Sequence, residues 1–218
     1  MRIVLLCLCL LLVLAKASWA DVPAARVNGV DIGLMRLERY FSEYLEAQGR
    51  AVTSIRNPTL YKRLRDQALD ELIDKELLWQ EAQRRGITIS DEQVSAHVGE
   101  VEAAFGSPAL FERRLADAGF DRAQYTDYTR HEMAAQQVYA QLSAVDAPSQ
   151  AEVEAFYAAN RERLQGAQNQ SDNSSVIREQ GLVLARATLI GQREAQARQA
   201  VRQRLRESAK VEIADRGP

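Results

Sequence analysis

From Pro58 to Arg85 the chain contains no glycine and no further proline, and its apolar residues recur at helical spacing on more than one side. Leu60, Leu64, Ala68 and Leu72 form one row. Leu69, Ile73 and Leu77 form a second, and Leu78 and Trp79 widen the arc. Asn57 supplies an N-cap with Pro58 at the first helical position, and Gly86 supplies a stop. A helix apolar over so much of its circumference needs partners on several sides. It is therefore expected at the centre of the fold, with Asp66, Glu71 and Lys75 marking its wet stripe.

The remaining punctuation predicts a mainly α chain with a small β element. Arg26 to Ile32 reads as a hairpin, because Asn28-Gly29 favours a type I′ turn between Val27 and Val30. Leu34, Leu37, Phe41, Tyr44 and Leu45 then give a helix over 34–48, stopped by Gly49. Ser90 with Gln93 and Ser149 with Glu152 have the form of capping boxes. Ser107-Pro108 starts a shorter helix that Gly119 ends, and Asp121 opens another through Leu142. Residues 166–175 are a polar linker, and the chain resumes as helix from Val176 to about Ser208. Gly181 and Gly191 each cost about 1 kcal/mol against alanine, which predicts a kink or break in that helix. Lys210 to Ile213 alternates like a short strand. Pairing it with the hairpin would bring the two ends of the body together, and an isolated two-stranded ribbon is only marginally stable.

Residues 1–20 are expected to be a secretory signal peptide. Arg2 is the positive start, Ile3 to Leu14 the apolar run, and Ser18 and Ala20 the small residues before the cut. The run is shorter than the roughly twenty apolar residues that span a bilayer, so no membrane span is expected after cleavage. Cys7 and Cys9 both lie inside it, which leaves the body without disulfide or thiol chemistry. Without Arg2 and Lys16 the chain carries 26 basic against 30 acidic residues, a net charge of −4. Those charges are interspersed, with none of the concentrated basic surface that nucleic-acid binding requires. No phosphate-cradling glycine loop or serine-nucleophile motif is present. His97 and His131 are not ligand-spaced, so no metal, cofactor or catalytic residue is assigned.

Several segments, in this order, resemble the N-terminal domain of SurA-type and PrsA-type extracytoplasmic folding factors. They are Ala25 to Ile32, Leu69 to Leu78 continuing through Glu81-Ala82 to Ile87, Ile89 to Val94, Glu152 to Tyr157 with Asn160, and Ala209 to Ile213. The resemblance implies one helical chaperone-like module, built from 21–165 and completed by 176–213. In that family parvulin prolyl-isomerase domains are inserted between the two parts, which here corresponds to the position after Leu164. Residues 166–175 are far too short for such a domain. Lowering a barrier of about 18–20 kcal/mol needs a formed pocket around the prolyl peptide.

The resemblance thus implies an exported, non-catalytic protein that binds unfolded or apolar polypeptide segments without a cofactor. Two alternatives remain open at this stage. One is a dedicated assembly partner in an envelope secretion or polysaccharide export system, and the other is a parvulin-type prolyl isomerase. Oligomeric state is not legible. Most helix-face aromatics are expected to pack in the core. Tyr40, Tyr44, Trp79, Tyr128, Met133 and Phe156 are the candidates for a peptide-binding cradle, methionine being adaptable at such surfaces.

Overall fold

The computed structural model describes residues 22–165 and 174–214. The expected signal peptide and residues 166–173 of the expected linker lie outside the described residues. The chain opens with strands β1 (Pro23–Val27) and β2 (Val30–Gly33), followed by helix α1 (Leu34–Glu46). Next come α2 (Pro58–Arg84), α3 (Asp91–Ala104), α4 (Pro108–Asp117) and α5 (Arg122–Leu142). The elements α6 (Gln150–Ala159), α7 (Arg161–Gln165), α8 (Ser174–Glu207) and β3 (Val211–Ile213) complete it.

Helix α2 has the central place its apolar circumference demands. It packs against α1, α5, α8 and β1. It buries Leu64, Ala68, Leu69, Leu72, Ile73, Leu77, Leu78 and Ala82. The Asn57 side chain accepts the Leu60 N–H at 3.0 Å, giving the expected cap. Both expected capping boxes form at Ser90 and Ser149. A third forms at Asp121, whose partner Gln124 reaches back to it.

The hairpin turns through Asn28 at φ 50° and Gly29 at φ 89°, the left-handed pair that a type I′ turn needs. The sheet order is β2-β1-β3, antiparallel throughout. Ala25, Arg26 and Val27 face Ile213, Glu212 and Val211, so the expected closure of the two ends is realised. Asn28 tightens it from both sides. Its N–H donates to the Lys210 carbonyl at 2.8 Å, and its Oδ1 accepts the Lys210 N–H at 2.8 Å.

Apolar packing falls into three clusters. The first joins the sheet, α1 and the N-terminal half of α2, with Phe41, Leu37 and Ile73 at its centre. The second joins the C-terminal half of α2 to α3, α4 and α5 around Phe111, Val94 and Val138, and Val201 of α8 enters it. The third joins α6, α7 and the first half of α8 around Val153, Tyr157, Leu164 and Ala185. Leu205 of α8 touches both of the first two.

One expectation needs correction. Helix α8 is continuous over 34 residues rather than broken at its glycines. Gly181 is buried under Tyr157, and a Cβ there would collide with the ring. The glycine is a packing requirement, not a hinge. Helix α1 turns Leu37, Phe41 and Leu45 into the core and leaves Leu34 exposed.

Candidate functional site

Helices α1 and α5 both pack against α2. Between them lies a cleft of about 450 Å³. Lys75, Glu76 and Trp79 of α2 line it, facing Arg36 and Arg39 of α1. Phe120 contributes from the connection before α5, Tyr128, His131 and Glu132 from α5 itself, and Val30 of β2 reaches its rim. A second hollow of about 790 Å³ opens between α1 and the α3–α4 corner, lined by Met35, Arg39, Glu43, Phe105, Arg114 and Gly119 among others. Arg39 belongs to both, and its guanidinium lies 3.9 Å from the centre of the Phe120 ring. The two hollows therefore meet at Arg39, with its cation–π contact between them, and together they make up the candidate groove.

The groove is apolar at its rings and charged between them. Glu76 is buried, held by Arg36 Nη1 at 3.3 Å and Gln80 Nε2 at 2.9 Å. Lys75 forms an ion pair with Glu132 and lies 5.4 Å from the Tyr40 ring centre. The Tyr40 hydroxyl donates to Glu71 at 2.7 Å. Burial, then the neighbouring carboxylates (Glu71 for Tyr40, Glu132 for Tyr128), push both phenols well above their usual range, so both remain hydroxyl donors. Burial also raises the Glu43 carboxyl, against the pull of Arg39 and Lys75. His131 stacks on Trp79 at 4.0 Å and 22°, and burial lowers its pKa. A neutral imidazole therefore covers the indole at neutral pH.

Of the six residues singled out from sequence, the structure brings three to this region. Trp79 and Tyr128 line the cleft, and Tyr40 lies beside them through Lys75. The other three are elsewhere. The Tyr44 hydroxyl donates to Gln67 at 3.3 Å at the edge of the first cluster. Met133 packs on the second cluster and Phe156 on the third.

Sequence reading missed Met35, which is 73% exposed, and also Phe105, Phe120 and Arg39. One signal was available for Phe120. It follows the glycine that ends α4, where its N–H donates to the Leu115 carbonyl at 2.9 Å and Gly119 N–H to Ala116 at 3.0 Å. That is the Schellman arrangement, which brings an apolar residue back against the helix end. Met35 breaks the stripe of α1, a weaker sign. A polar hollow of about 630 Å³ lies where α2 and α8 both end, lined by Arg84, Arg85 and Arg204 with Glu81. Cations at two helix C-termini complement the helix dipoles, so its charge has a structural reason. Among the described residues no group of three or more His, Cys, Asp or Glu side chains is placed to hold a metal.

The model of the SurA-like N-terminal domain matches residues 1–139. The chain belongs to the SurA-like N-terminal domain family. The match ends within α5, so it takes in every groove-lining residue named above. No curated protein matches the chain. Among solved structures it is similar to a chain described with the virulence factor PEB4 and the periplasmic protein Cj1289, two structurally related SurA-like chaperones of Campylobacter jejuni. The TM-score is 0.51 at 10% identity, over 88% of this chain and 98% of that one. At that identity the likeness is one of fold, and at 88% of the chain it extends past the family match. No helix among the described residues is long and apolar enough to cross a membrane.

Proposed function

We propose that this protein is an exported, non-catalytic chaperone-like module that binds apolar stretches of unfolded polypeptides in the groove between α1 and the α3–α5 corner. Residues 21–165 and 176–213 complete one binding unit in this reading. The observation that carries the reading is the groove itself. It sets exposed Met35 and Phe105 beside Phe120, Trp79 and Tyr128, with fixed charges between the rings. Apolar side chains of a client remove their surface from water against the rings. Polar client groups and backbone amides find Arg36, Arg39 and Glu132 nearby, so a mixed sequence is not left with unsatisfied groups. Membership of the SurA-like family supports the chaperone role, and the leader-like residues 1–20 support export.

The test is aggregation of a chemically unfolded client followed by light scattering. Suppression at a few-fold excess of the protein, without nucleotide, is expected; no suppression overturns the reading. In a chain without residues 1–20, Trp79 is the sole tryptophan. Its emission is expected to change on addition of the client. A protease-coupled prolyl-peptide assay is expected to run at its uncatalysed rate.

A further inference from the structure

Among the described residues no strand pairs with the outer edge of the small sheet, and that edge borders the groove. Strand β2 pairs with β1 on one side and is the outer strand of the order β2-β1-β3. Val30 of that strand is 46% exposed and lines the cleft with Trp79 and Tyr128. In the two-residue hairpin Val27 and Val30 are the pair that flanks the turn, followed by Arg26 opposite Asp31. Antiparallel ladders alternate between hydrogen-bonded and non-bonded pairs. Arg26 faces Glu212 on its other side, flanked by bonds from Asn28 to Lys210 and from Ala214 to Ala24. The alternation therefore directs the Arg26 backbone groups toward β3 and those of Asp31 away from β1, to the open side. Gly29 and Gly33 stand at the two outward positions on either side of Asp31, and neither has a side chain to obstruct an approaching chain.

We infer that the β2 edge adds an extended stretch of a bound unfolded polypeptide as a fourth strand, so that the module grips the client's backbone as well as its apolar side chains. This rests on the proposed peptide-binding role and specifies its mode. Unfolded clients differ in side chains and share one backbone. An open edge supplies main-chain bonds independent of sequence, and alternate side chains of the added strand then point toward the pocket. The occupant is an extended segment with free N–H groups. Proline-rich stretches are disfavoured, because proline has no N–H to donate.

The experiment measures binding of a short proline-free Leu/Val/Ser peptide to the chain without residues 1–20, by Trp79 emission and by calorimetry. The peptide is compared with two versions N-methylated at alternate residues, one in each register. Binding is expected to weaken about tenfold in one register and to stay unchanged in the other, as loss of main-chain bonds on one side requires. On the protein, Asp31→Pro removes the outward N–H at a position where an edge strand tolerates proline. Asp31→Ala keeps that N–H and removes only the exposed ion pair with Arg26. Asp31→Pro is expected to weaken binding several-fold relative to Asp31→Ala, with the same circular dichroism. If Asp31→Pro misfolds, the N-methylated peptides decide the matter on the unsubstituted chain. Equal binding by both registers and both variants overturns the edge mode and leaves groove binding standing. A dimer that Asp31→Pro dissolves without any effect on peptide affinity assigns the edge to a second copy and also overturns it. No peptide binding by the unsubstituted chain overturns this mode and the proposed function together.

Discussion

Gly181 and Gly191 lie on the same helix and answer to opposite constraints. A methyl group at 181 would meet the Tyr157 ring, whereas at 191 it would meet open space. Gly181→Ala is expected to destabilise by about 1–3 kcal/mol through overpacking. Gly191→Ala is expected to stabilise by roughly 0.5–1 kcal/mol through helix propensity alone. Urea melts of the two variants check the pair. Met35 offers a residue-scale test of the groove. Because it is 73% exposed, Met35→Glu should leave stability within about 0.5 kcal/mol. The same change places a charge on the apolar rim and is expected to weaken suppression of aggregation. His131 gives a pH test. Burial holds its pKa below the usual histidine value, so it gains its proton only when the pH falls below that range. In a chain lacking residues 1–20, Trp79 emission is expected to fall over that acidic interval, and His131→Gln to remove the transition.

At the scale of elements, the end of α2 is held by a carboxylate. Glu81 is buried and accepts from Arg84 at 2.7 Å and Arg85 at 2.5 Å. Burial alone would raise its pKa, but the two guanidinium groups outweigh that and hold it below the ordinary glutamate value of 4.5. A depressed carboxyl stabilises the fold fully above the unfolded value, and that contribution disappears as the pH falls through the folded value. Glu81→Gln is therefore expected to lower stability near neutrality and to flatten the acid limb of a stability-versus-pH curve below 4.5. Helix α8 is attached at two places, each by an arginine–carboxylate pair and an arginine bond to a backbone carbonyl. Its far half docks on α2, where Arg206 Nε meets Asp74 at 2.5 Å and Nη2 donates to the Asp70 carbonyl at 2.7 Å. Its first half and middle carry α6, where Arg193 pairs with Glu152 and Arg186 bonds the Pro148 carbonyl at 3.2 Å. The Ser149 capping box and the Arg193 pair share Glu152, so cap and docking contact act on one carboxylate.

Across the whole molecule, the three residues of β3 are the last covalent link in a closed arrangement. They cover one side of β1, while Ala25 and Val27 on β1 are buried in the first cluster. A chain ending at Ala209 would leave the ribbon two-stranded and remove the Asn28–Lys210 bonds. It is expected to lose several kcal/mol, as a cooperative unit built from long-range pairs would. Amide exchange should show protection falling first at Ala25 to Val27 and then at the start of α1. Unchanged protection there would mean that the hairpin is held by α1 and α2 without β3.

Much of the fold was legible because its signals are local. Asn57-Pro58, the capping boxes at Ser90 and Ser149, and Asn28-Gly29 act within a few residues of themselves, so their chemistry is written in sequence order. The breadth of apolar surface on α2 made its central place readable in the same way. Half of the candidate groove was legible, since Trp79, Tyr128 and Tyr40 are large rings on helix faces. The other half arises from juxtaposition. Met35, Phe105 and Phe120 come from three separate elements, and nothing local to any of them says that they share a hollow. The burial of Glu76 and Glu81, and the need for no side chain at Gly181, depend on partners brought in by packing. Sequence alone therefore determined most of the helical segments, the capped ends of several of them, and which helix lies at the centre, because hydrogen bonding and amphipathicity operate over one or two turns. Tertiary structure decided where the groove opens, which charges are buried and which glycine is indispensable, because each of those depends on atoms far apart along the chain.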